Sequence, residues 1–141
     1  MTETADRLSP ESPPLAGLRV LAVDDDVDTL DVVTELLTLR GADVVAAPSA
    51  AGALAALQRF KPHVLVSDIG MPERDGYDLI RDIRNLGLGP ADLPAVAVTA
   101  YAAPEDRRRA LAAGFQVHMA KPVDPADLIE VVNRLGREAA G

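Results

Sequence analysis

The chain has 141 residues, 48% hydrophobic and 26% charged, which suits one globular domain whose core folds without covalent staples. It has no cysteine and two widely separated histidines, which excludes disulfides, thiolate chemistry and Cys-based zinc sites and argues against a His-based metal centre. A formal charge of −8 argues against a nucleic-acid partner, whose phosphates call for clustered Lys and Arg, and the basic run Arg107 to Arg109 reads as a solvated helix face.

No apolar run approaches the roughly 18 to 20 residues needed to span a bilayer, and the N-terminus lacks the basic-then-apolar layout of a signal peptide. A cytoplasmic location without membrane contact is therefore expected. Residues 1–16, "MTETADRLSPESPPLA", are rich in Pro, Ser, Thr and Glu and read as a flexible tail. The folded domain is expected over 17–137, with a short C-terminal tail at 138–141.

From Leu18 onward short apolar runs alternate with helical patterns. "LRVLAV" (18–23) reads as a strand, and Asp28 or Asp26 caps a helix with Leu30, Val33, Leu36 and Leu37 on its apolar side, stopping at Gly41. "ADVVAA" is the second strand, and Ser49 caps an Ala-rich helix to about Phe60. "HVLVS" is the third strand, followed by a helix marked by Leu79, Ile80, Ile83 and Leu86 and ended by Gly87. "LPAVAVTA" is the fourth strand. Pro104 suits a first helical position with Glu105 and Asp106 in the first turn, and Gly114 closes that helix. "FQVHMA" is the fifth strand, and Asp124 and Pro125 open a last helix burying Leu128, Ile129, Val132 and Leu135.

This alternation predicts a (βα)5 fold, an α/β sandwich with a parallel sheet covered on both faces. Right-handed crossovers place all strand C-termini on one edge, where open α/β sheets bind ligands. The ends carry Asp24, Asp25 and Asp26, then Asp68, Thr99 and Lys121. Carboxylates a few Å apart repel by several kcal/mol at an effective dielectric near 20, so a cation or a proton must intervene. An all-oxygen set suits Mg²⁺ or Mn²⁺, with Asp25 and Asp68 as leading ligands and Asp24 acting through water or from behind them. A bound metal makes a further anionic ligand favourable. Lys121 and Thr99 are residue types that hold a phosphoryl group, which makes Asp68 a candidate nucleophile. Taken singly, each residue has a bland reading as a helix cap, loop or surface side chain; the combination at four strand ends points to chemistry.

These motifs, the acidic pair in "LAVDDD", the acceptor in "SDIGMPERDG", the hydroxyl in "VTA" and the lysine in "AKP", resemble the receiver domain of bacterial two-component response regulators, over about residues 17–137. The ending "HMAKPVDPADL" looks particularly like the receivers of hybrid sensor histidine kinases. The resemblance implies a flavodoxin-like, doubly wound sheet of order 2-1-3-4-5. It implies that Asp24 and Asp25 are the acidic pair, Asp68 the phosphoacceptor, Thr99 the switch hydroxyl and Lys121 the phosphate-binding lysine. Gly70 would offer its backbone carbonyl to Mg²⁺, and the Lys121–Pro122 bond would be cis. The implied partner is a histidine kinase or histidine phosphotransfer protein. Self-catalysed phosphotransfer and autodephosphorylation are implied rather than turnover of a metabolite. The surface expected to respond is the fourth helix, fifth strand and fifth helix, where a partner or a second copy would dock.

One position departs from the family. Three residues before the lysine it usually has Tyr or Phe, the aromatic that turns inward when the hydroxyl moves; here that place is His118. Its imidazole either serves as the rotating group, with pH sensitivity near the ordinary value of about 6.5, or is a half-buried polar residue. Gly70, two residues after the acceptor, leaves one side of the site open to water, and Tyr101, two after Thr99, either shields the other side, bearing on the lifetime of the phosphorylated state, or packs against the fourth helix. A metal-dependent phosphatase or phosphotransferase with an Asp nucleophile is the rival enzyme reading. Such enzymes usually place a second Asp two residues on, where this chain has Gly70. A non-phosphorylated scaffold of the same fold is the structural alternative. Nucleotide binding fares worse, for no Gly-rich phosphate loop follows the first strand.

Overall fold

The computed structural model describes residues 13–140. Five strands, β1 (Arg19–Val23), β2 (Asp43–Ala47), β3 (Val64–Ser67), β4 (Ala95–Thr99) and β5 (Val117–Ala120), alternate with five helices. These are α1 (Val27–Leu39), α2 (Ala50–Phe60), α3 (Gly76–Asn85), α4 (Pro104–Ala113) and α5 (Pro125–Ala140). The sheet runs β2-β1-β3-β4-β5 and every pairing is parallel. The alternation predicted the parallel sheet, and the order is the doubly wound one that the family resemblance implies.

Burial follows position in the sheet. All residues of β3 and β4 are buried, as central strands covered on both faces require, whereas the edge strands β2 and β5 are half-covered. Successive side chains point to opposite faces, so the core divides in two. Leu21, Leu65, Ile80, Ile83 and Phe115 pack on the α2–α3 side, and Leu18, Leu37, Val64, Leu128 and Val132 on the α1–α5 side.

Local signals set the helix starts. Asp26, rather than Asp28, caps α1: its carboxylate accepts from the Asp28 N–H and the Thr29 hydroxyl. Ser49 caps α2, and Asp75 and Asp78 cap α3 reciprocally. Gly41 ends the α1 turn at φ 102, and a Cβ there would lie 2.6 Å from Pro13 Cβ.

Three expectations need correction. The proposed N-terminal tail falls largely on residues 1–12, outside the described residues, but 13–16 are not tail. Leu15 is fully buried, its N–H donates to the Arg40 carbonyl, and Arg137 donates to the Pro14 carbonyl. A leucine inside a Pro- and Ser-rich stretch was enough to seal the base of the α1–α5 core. At the other end, 138–140 continue α5, because nothing in "REAA" breaks a helix. Leu86 lies just past α3 and is 60% exposed, so it does not share the core stripe of Leu79, Ile80 and Ile83.

Candidate functional site

Asp24 and Asp25 follow β1 directly, Asp68 follows β3, Thr99 ends β4 and Lys121 follows β5. Because those strands are parallel neighbours in register, their ends meet at one edge. One carboxylate oxygen from each of Asp24, Asp25 and Asp68 lies within 4.8 Å of the others. Asp24 and Asp68 are buried and Asp25 is exposed, so the cluster is rooted in the protein and open on one side.

Each member is held. The Asp24 N–H donates to the Ala47 carbonyl, and its Oδ1 accepts from the Asp26 N–H at 2.9 Å. Lys121 Nζ sits 2.9 Å from Asp24 Oδ2 and 3.5 Å from Asp68 Oδ1. The Asp68 N–H donates to the Val23 carbonyl, and Oδ1 accepts from the Ile69 N–H at 2.8 Å. The Lys121 N–H donates to the Thr99 carbonyl, and the Lys121–Pro122 bond is cis.

The electrostatics agree with this geometry. Burial and the neighbouring Asp24 charge push the Asp68 carboxyl up to about 6, against the opposing pull of Lys121 and the Ile69 N–H. Burial works against the Lys121 ammonium, but the bond to Asp24 and the charges of Asp68 and Asp24 outweigh it, leaving its pKa raised. One ammonium does not fully neutralise three crowded carboxylates. The donor set, all oxygen and anionic, fits a hard divalent cation.

Beside this cluster an open pocket of about 290 Å³ is lined by Gly70, Tyr77, Thr99, Tyr101, Asp106 and Arg109. Gly70 is exposed at its edge, with the Tyr101 ring 3.6 Å from where a Cβ would stand. Thr99 is buried and its Oγ1 accepts from the Tyr101 N–H at 3.0 Å. His118 is half-buried, and its Nε2 is hydrogen-bonded to the Tyr101 carbonyl at 3.1 Å. The peptide groups of Tyr101 thus stand between the Thr99 hydroxyl and the His118 ring.

Sequence reasoning identified the strand-end residues and missed their supports. Ser67, fully buried, donates to the Asp68 carbonyl at 2.8 Å. Arg109 stacks over the Tyr77 ring at 4.2 Å from its centroid, joining α4 to α3. A hydroxyl closing an otherwise apolar strand was a signal for Ser67. The Arg109 contact had none, since it joins residues 32 positions apart.

A family model for the response regulator receiver domain matches residues 20–133. The chain belongs to that family. An uncharacterized 14.6 kDa protein in the sodA1 3' region of Leptolyngbya boryana is 49% identical over 120 residues, 85% of this chain and 91% of that protein. Sensor protein GacS of Pseudomonas syringae pv. syringae is 35% identical over 85% of this chain, and the transcriptional regulatory protein PrrA of Mycobacterium tuberculosis is 34% identical over 84%. The chain spans 14% of the former and 50% of the latter. Among solved structures, a CheY-like receiver domain protein from Methanospirillum hungatei JF-1 superposes with a TM-score of 0.78 at 31% identity, covering 89% of this chain and 97% of that one. Chemotaxis protein CheY4 of Vibrio cholerae gives 0.77 at 28%, covering 86% and 98%. The chain is thus a receiver domain of two-component response regulators, a signalling phosphoacceptor domain and not a classical enzyme.

Proposed function

We propose that Asp68 is the residue that accepts the phosphoryl group, with Asp24, Asp25, Asp68 and the Gly70 carbonyl holding Mg²⁺ or Mn²⁺. The observation that carries this reading is the cluster itself: three carboxylates within 4.8 Å, two of them buried, with Lys121 Nζ reaching both Asp24 and Asp68. A bound divalent cation would offset the charge of the carboxylates and of the incoming phosphoryl oxygens. The residues supply the rest. Oδ1 of Asp68 already receives the Ile69 N–H and faces Lys121, which leaves Oδ2 to attack phosphorus. The new O–P bond replaces the donor's P–N bond when the donor is phosphohistidine, and the imidazole departs carrying a proton. The Lys121 ammonium stabilises the transferring oxygens, and the Thr99 hydroxyl turns from the Tyr101 N–H to donate to the phosphoryl group. Water attack on the acyl phosphate at the open side reverses the modification, so phosphotransfer and autodephosphorylation are both catalysed by the domain itself.

The donor in this reading is a histidine kinase or histidine phosphotransfer protein in the cytoplasm. No helix among the described residues is long and apolar enough to cross a membrane. Displacement of Thr99 would pull on the Tyr101 peptide and release His118, transmitting the event to the α4–β5–α5 face, where a partner or a second copy docks. The whole change needs only about 1 to 3 kcal/mol of coupling.

Intact-mass measurement after incubation with acetyl phosphate tests the assignment. One phosphoryl adduct is expected with Mg²⁺, none in EDTA and none in Asp68→Asn. An Mg²⁺-independent adduct, or one retained by Asp68→Asn, would overturn it.

A further inference from the structure

Ser67 breaks the pattern of its strand. β3 reads VLVS, and Ser67 pairs in register with Val23 and Ala97, both in the apolar layer on the α2–α3 side. Side chains alternate along a strand, so Ser67 faces the same layer as Leu65. It is 0% exposed. Packing alone would favour an apolar residue there, since a buried hydroxyl is costly unless hydrogen-bonded.

Among the described residues the hydroxyl has one partner, the carbonyl of the next residue, Asp68, at 2.8 Å. No main-chain N–H among the described residues donates to that carbonyl outside the regular strand ladder. Gly76 closes over it so tightly that a Cβ at 76 would run into the Asp68 oxygen and come within 2.7 Å of Ile69 Cα. The other end of the same peptide is the Ile69 N–H, which donates to Asp68 Oδ1 at 2.8 Å. A peptide unit is planar, with C=O and N–H pointing in opposite directions, so fixing the carbonyl fixes the direction of the N–H. That N–H in turn fixes the carboxylate oxygen lying 3.5 Å from Lys121 Nζ.

We propose that Ser67 is a positioning residue for phosphoryl transfer: its buried hydroxyl sets the plane of the 68–69 peptide and, through the Ile69 N–H, the orientation of the Asp68 carboxylate. The proposal rests on the acceptor role given to Asp68 above. Without the hydroxyl the carbonyl of the buried Asp68 is left with no donor among the described residues, a state expensive enough to turn the peptide toward another partner. The Ile69 N–H then leaves Oδ1, the carboxylate gains rotamers, and the in-line geometry is populated less often. Small losses of alignment cost large factors in rate.

The test compares Ser67→Ala with Ser67→Thr, which keeps the hydroxyl, and Ser67→Cys, a weaker donor of similar shape. Two quantities are read: the rate of phosphorylation by acetyl phosphate at saturating Mg²⁺, and the chemical shift and hydrogen exchange of the Ile69 amide in the unphosphorylated protein. Ser67→Ala is expected to react about tenfold more slowly, with the Ile69 amide shifted upfield and exchanging faster. Ser67→Thr should restore both, and Ser67→Cys should fall between, which covers an alanine variant that fails to fold. A wild-type rate in Ser67→Ala, or a slow rate with the Ile69 amide unmoved, would overturn the proposal. A wild type inert to acetyl phosphate would instead defeat the acceptor role, while the Ile69 amide would still decide whether Ser67 sets the peptide.

Discussion

The Asp68 carboxyl ionises at about 6, raised by burial and by the Asp24 charge from an ordinary 3.8. The folded state therefore binds this proton more tightly than the unfolded chain does, and the ionised form costs stability above about pH 6, a cost that vanishes as pH falls toward 4. In EDTA, Asp68→Asn is expected to be more stable than wild type at neutral pH by about 1 to 3 kcal/mol. Urea denaturation should show that gap closing by about pH 4, and a variant no more stable at neutral pH would contradict this. His63 behaves oppositely. Burial, then the charges of Arg19 and Arg137, lower its pKa, and its Nδ1 accepts the Arg19 N–H at 3.0 Å. The unfolded chain takes up that proton first, so stability is lost as pH falls below the ordinary value near 6.5. His63→Asn, which keeps an acceptor without titrating, should flatten the acid limb below about pH 6.5; a limb as steep as wild type would refute the assignment. Asp24, Asp25, Asp68, Thr99 and Lys121 were legible because each terminates an apolar run, and topology does the rest. The Tyr101 peptide was not, since its role lies in which atoms meet, not in residue type; Ser67 was overlooked although its hydroxyl closes an otherwise apolar strand.

Among the elements, α4 is the least anchored. Ala110 is its one buried residue, and its N-cap, Ala103, offers no side-chain acceptor. Its far end is fastened, because Arg84 donates to the Gly114 carbonyl at 2.7 Å and to Gln116 Oε1 at 3.1 Å. The Arg109–Tyr77 stack then holds the helix body against α3, beside the Thr99 pocket. Tyr77→Leu keeps an apolar side chain and deletes the stack, worth about 0.5 to 1 kcal/mol. Amide exchange in α4 should rise roughly two- to fivefold while α1 is unchanged; unaltered exchange in α4 would remove the stack from the account. His118→Ala is expected to abolish the phosphorylation-dependent amide shifts of β5 and α5, and their persistence would leave His118 as a half-buried polar residue. Element order was legible from punctuation such as Ser49, Pro104 and Gly114. The ends were harder: Leu15 and residues 138–140 are ordered by packing and by helix continuation that their own composition conceals.

For the molecule as a whole, stability and function pull on the same edge. Three carboxylates share it with one ammonium in a chain of formal charge −8, so a divalent cation should stabilise the fold as well as prepare it. At 100-fold excess over its dissociation constant Mg²⁺ would add about 2.7 kcal/mol. Scanning calorimetry should show a higher midpoint with Mg²⁺ in wild type and a much smaller rise in Asp25→Ala. An equal rise in both would separate the cation from the cluster. The parallel sheet was readable because alternation and handedness leave few alternatives, and its strand order came from the family resemblance. The identity of the partner was not, because recognition depends on side chains that the core does not constrain. The most direct measurement is to locate the phosphoryl group: treat the protein with acetyl phosphate and Mg²⁺, reduce the acyl phosphate with borohydride, and map the peptides by mass spectrometry. Conversion of residue 68 to homoserine, absent without Mg²⁺, is the predicted result; reduction at another carboxylate, or at none, would contradict the account.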